Sequence, residues 1–275
     1  MLILCSRAAR RIALPVASLT IMASAAQADV GFLLPNTFHT DETGRVTVIA
    51  SFSDQFPSVE HPLRSNNFHV VKPDGEKEPF ESVQNLEQMT ALFTVLETPG
   101  VYRLSSGERL GRKGEVSRQG GAYVRLGQDG IDVAALPDGA PIFTSQTATV
   151  SEVYVRRGDV ALPETLTTSG RLSVRLSAGA EGFRAAAPMR VSVTFDGSPL
   201  TGADVTLIAP FGAYTDHSDG VASVLDRNGE AELSSQHTGP HSVLVRHIAE
   251  APAGAETDVR SYSTALVFEV LQKSD

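Results

Sequence analysis

Seven histidines, His39, His61, His69, His217, His237, His241 and His247, are the side chains in this sequence best suited to coordination chemistry. Imidazole is the commonest metal ligand in proteins, so their spacing is the first thing to test. His241 and His247 sit six residues apart in an alternating stretch, which is roughly 20 Å at the rise of a strand. They cannot share one ion, and both point to the same face as Val243 and Val245. That pattern predicts packed or rim histidines. His61 precedes Pro62 and reads as a loop residue. Asp216, His217 and Asp219 cluster before Gly220 but lack the alternating acids and distal glutamate of a calcium loop.

Other chemistries leave little trace. The sequence has no His-Glu-x-x-His, no Gly-x-Ser-x-Gly and no dinucleotide fingerprint, so a non-enzymatic protein is expected. The glycine-rich stretch 105–130 holds the densest basic cluster: Arg109, Arg112, Lys113, Arg118 and Arg125. It could bind an anion. It lacks the lysine-then-hydroxyl ending of a phosphate loop, so a mobile solvated connection is the expectation. A carbohydrate-binding module would need exposed aromatics, and the chain has no Trp and five Tyr.

The amino end adds a candidate of another kind. Arg7, Arg10 and Arg11 precede an apolar run ending in Ala26-Gln27-Ala28, the order of a cleaved secretory signal over residues 1–28. Cleavage would expose a free amine at Asp29, beside that residue's own carboxylate. An amine, a carboxylate and one or two histidines could hold a transition metal. The same cleavage removes Cys5, the only cysteine, so no disulfide framework is expected. It also removes three arginines and takes the net charge from −9 to −12. An acidic surface argues against nucleic acid and anionic membranes as partners. The expected destination is the periplasm, with no membrane span after cleavage.

What must position these groups is a set of strands. Residues 189–195 alternate Met189, Val191, Val193 and Phe195 against Arg190, Ser192 and Thr194. A turn-rich stretch, Asp196-Gly197-Ser198-Pro199, separates them from a second alternating run at 203–208. Similar strands are expected at 45–52, 68–71, 92–95, 101–104, 147–156, 172–176, 231–233, 242–248 and 264–271. Short strands, frequent turns and almost no helix predict an all-β protein. The expected arrangement is two antiparallel β-sandwich domains in tandem, immunoglobulin-like or transthyretin-like, over 29–168 and 169–275.

The chain also resembles the exported bacterial proteins of domain-of-unknown-function family 4198. The residues that carry the likeness include Phe32-Leu33-Leu34-Pro35, His61-Pro62-Leu63-Arg64, Pro73-Asp74-Gly75 and Pro99-Gly100-Val101-Tyr102-Arg103. In the second half they include 196–203, the Asp226 to Gly229 turn, Val245-Arg246-His247 and the closing 262–270. The family is described as periplasmic components associated with nickel or cobalt uptake. The resemblance implies a divalent transition metal, nickel or cobalt, as cargo and a cell-envelope uptake or receptor component as partner. His61 and His247 fall on family-like histidine positions, and Asp29 stands where the family usually carries a histidine. Asp29, His61 and His247 are therefore the expected metal residues. The alternative is a structural adaptor module on an envelope receptor, without metal.

Overall fold

Alternation of apolar and polar side chains decides this architecture, because a strand with two apolar faces must sit between two layers. In the computed structural model, which describes residues 29–127, 130–179, 182–210 and 220–273, three strands have that character: Ile142–Arg157, Gly239–Glu250 and Val259–Val270. They form the middle of an 11-stranded sheet. The expected signal at 1–28 and the Asp216-His217-Asp219 loop lie outside the described residues.

A five-stranded sheet covers each side of this middle layer. One holds Val30–Pro35, Arg45–Ser53, Thr90–Val95 and Ser82–Asn85, with His61–Pro62 paired onto Arg45–Ser53. The other holds Thr165–Thr167, Leu172–Ala178, Met189–Phe195 and Ser198–Pro199, with Glu230–Leu233 on Met189–Phe195. Alternate residues of the central strands feed the two cores. Val153, Val155, Leu244, Ala265 and Val267 pack against Phe32, Val48, Leu92 and Tyr102. Their neighbours Ala148, Val243, Val245, Leu266 and Phe268 pack against Leu176, Val191 and Val193. Each fully buried aliphatic or aromatic side chain stabilises the fold by about 1.5–3 kcal/mol.

The fold is all-β and built of sandwiches, as the pattern predicts, and no α-helix occurs among the described residues. The two sandwiches share their middle layer. Ile142–Arg157 from the first half pairs in parallel with Val259–Val270 over Ser145↔Val259 to Val153↔Val267. The alternating runs at 189–195 and 203–208 do not pair with each other. Met189–Phe195 lies in an outer sheet and Asp204–Ile208 in the central one. The turn between them crosses the core, so Val191, Val193, Val205 and Leu207 face one another through it.

The stretch 105–130 corrects the expectation of a mobile connection. Arg109–Gln119 and Ala122–Arg125 form an antiparallel hairpin with Gln119 opposite Ala122. Gly120 and Gly121, at φ 56° and 91°, make the two-residue turn; its left-handed backbone suits glycine. Arg109–Gln119 then pairs with Ile142–Arg157. Of the basic residues that suggested a solvated loop, Arg112, Lys113 and Arg118 are exposed positions of this hairpin, and Arg109 and Arg125 are half-buried.

Candidate functional site

One face of the central sheet changes character along its length. Where the first outer sheet covers it, Val153, Val155, Ala265, Val267 and Leu244 supply apolar packing. Beyond that cover the same face carries Thr147, Thr149, Ser261, Ser263 and Arg246, by the period of two. These five residues line a cleft of about 360 Å³, together with Asp29, Phe52, His61, Pro62, Arg109, Arg112 and Arg125.

The register explains the lining. Arg109 lies opposite Thr149, Thr149 beside Ser263, and Ser263 opposite Arg246. Two hydroxyl residues thus sit between two arginines in one row across four strands. In the next row Thr147 lies beside Ser261, whose Oγ accepts a 2.6 Å hydrogen bond from Nη2 of Arg125. The ladder shifts register between Leu110 and Lys113, and a bulge of this kind re-aims side chains. Gly111 sits in it. A Cβ there would fall 2.3 Å from Thr147 Oγ1 and 2.7 Å from Arg109 Nη1, so the arginine crosses over bare backbone.

The far wall comes from the first outer sheet. Asp29 immediately precedes Val30–Pro35, and Val30 lies opposite Ser53. His61 pairs with Phe52 at the end of the neighbouring strand. The guanidinium of Arg109 stands 5.0 Å above the Phe52 ring, and its Nε donates to the carbonyl of Arg64 at 2.8 Å. Burial holds the Arg109 guanidinium below its ordinary value. Burial does the same to Arg246; the charge of Arg125 adds to the effect and Asp29 opposes it.

The three expected metal residues divide between two places. Asp29 and His61, 32 positions apart, line one cleft. His247 lies on the opposite face of the sheet from its neighbour Arg246, because successive strand residues alternate. Its ring meets Phe195 at 4.7 Å in the second core, and burial lowers its pKa against the pull of Asp196. Beside it Arg171 bonds both carboxylate oxygens of Asp196 and stands 4.9 Å over the Phe195 ring. His241 points the same way as His247 and is fully buried, with Nε2 2.7 Å from Ser235 Oγ and Nδ1 3.0 Å from the Gly239 carbonyl. Among the described residues no three His, Cys, Asp or Glu side chains form a metal cluster.

The arginines of the cleft are the functional candidates that sequence reasoning undervalued. Their signals were the basic cluster at 109–125 and the switch from apolar to hydroxyl residues at alternate positions of two long strands.

A β-sandwich with an open, charged cleft at one end of its shared sheet defines a fold class and not an activity. The model of a domain of unknown function, DUF4198, matches residues 26–249, and the chain belongs to that family. No curated protein matches it. Among solved structures, trypsin-activated alpha-2-macroglobulin from Escherichia coli is similar at 13% identity and TM-score 0.24. The match covers 92% of this chain and 16% of that one, so the chain spans about a sixth of that protein's length. The D0-D1 domain of intimin is similar at 14% identity and TM-score 0.21, over 87% of this chain and 99% of that one. No helix among the described residues is long and apolar enough to cross a membrane.

Proposed function

We propose that this protein is a non-enzymatic binding component of the periplasm whose ligand site is the cleft beside Asp29. The observation that supports this reading is that Asp29 and His61 line one cavity whose floor is polar. In the finer form of the proposal the cargo is a divalent transition metal of the nickel or cobalt type, delivered to an uptake component of the envelope. Asp29 would give a carboxylate, His61 an imidazole and, after processing before Asp29, the new α-amine a third donor. His247 has no part in this set.

Charge sets the form in which such a metal would be held. A dication about 8 Å from one guanidinium is repelled by about 4 kcal/mol at an effective dielectric of about 20. Four arginines line the cleft. A bare dication is therefore disfavoured there, and a metal carrying anionic ligands is favoured.

The test is calorimetric titration of Ni²⁺, Co²⁺, Cu²⁺ and Zn²⁺ into protein beginning at Asp29 and into the same protein with one glycine ahead of it. Binding at least tenfold weaker in the extended form is expected. Equal binding by both forms would remove the amine from the site.

A further inference from the structure

Four guanidinium groups, from Arg109, Arg112, Arg125 and Arg246, are brought to one cleft by three different strands and a bulge. Like charges repel, and folding places them together over a floor of Thr149 and Ser263 rather than spreading them on the surface. Among the described residues the lining supplies one carboxylate, Asp29, against those four charges. Guanidinium forks match the oxygens of carboxylates and phosphates in paired hydrogen bonds, and hydroxyls donate to the same atoms. About 360 Å³ is the scale of a small-molecule site.

We propose that this cleft binds a small, multiply charged oxyanion, held by the guanidinium groups at its two ends and by the hydroxyl floor between them. The inference does not rest on the metal reading: the anion fills the cleft whether or not it carries a metal. Carboxylates and phosphates share the chemistry that is recognised, so the experiment separates them.

Citrate and inorganic phosphate are titrated separately into metal-free protein beginning at Asp29, at low ionic strength. One-to-one binding of at least one of them is expected, weakening steeply as salt is added. Preference for citrate identifies polycarboxylates; preference for phosphate identifies phosphoryl compounds. Arg246→Gln and Arg125→Gln should each weaken binding at least tenfold. Arg118→Gln, on the same hairpin but stacked over Tyr123 outside the cleft, should change it less than twofold. Far-UV circular dichroism establishes which variants fold, and either cleft variant alone suffices. Folded protein that binds neither anion would overturn the inference, as would an equal loss in Arg118→Gln. Because no divalent metal is present, failure here leaves the metal reading standing, and failure of metal binding leaves the anion site standing.

Discussion

His241 shows how a residue suited to coordination can be committed to packing instead. Both ring nitrogens have partners, and burial favours the neutral imidazole, so its pKa lies below the ordinary 6.5. The unfolded chain takes up the proton first as pH falls. The contribution of His241 is thus complete above about pH 6.5 and is lost as pH falls below that toward the lower native value. His247, shifted the same way, adds to it. Thermal melts should therefore show a lower Tm at pH 6 than at pH 7.5, with a smaller difference in His241→Gln. An unchanged difference in that variant would remove His241 as a source. Glu152 is the other buried polar commitment: its carboxylate is fully buried and accepts from the Ser169 amide at 2.9 Å and hydroxyl at 2.6 Å, with Arg103 at 3.6 Å. Glu152→Ala strands those donors and should cost about 3 kcal/mol by urea denaturation. A loss below about 1 kcal/mol would mean that the donors find water.

The strands themselves were largely legible. Period-two runs at 45–52, 147–156, 189–195 and 242–248 all lie within strands, because alternation is a local consequence of a half-buried sheet. Pairing was not legible. Nothing local in 189–208 says that its two strands belong to different layers, since facing across a core and pairing in a sheet demand the same alternation. The hairpin at 109–125 was hidden for a different reason. Its outward positions are so charged that it lacks an apolar face, and its order comes from a glycine turn and a partner strand far away in sequence. Gly111 makes that element specific to the site. Gly111→Ala should leave the fold intact while displacing Thr147 and Arg109, costing about 1–3 kcal/mol of stability and weakening ligand binding by calorimetry. Wild-type affinity in this variant would show that the bulge does not position Arg109.

At the scale of the whole molecule, the shared central sheet ties the two cores together. Leu244 and Val245, adjacent in one strand, belong to opposite cores, and so do Leu266 and Val267. Scanning calorimetry should accordingly give one transition whose calorimetric and van't Hoff enthalpies agree; two resolved transitions would mean that the cores melt independently. The same sheet decides which candidate residues can act together. Asp29 and His61 were legible as types, but their place in one cleft depends on where the first outer sheet ends, and the separation of His247 depends on which face of a strand it occupies. In the proposed function, ligand binds on the Arg246 face and not on the His247 face. The direct test is nickel titration of folded His61→Ala and His247→Ala side by side. Affinity at least tenfold weaker in His61→Ala and within threefold of the parent in His247→Ala is the expected result. The reverse order would contradict it.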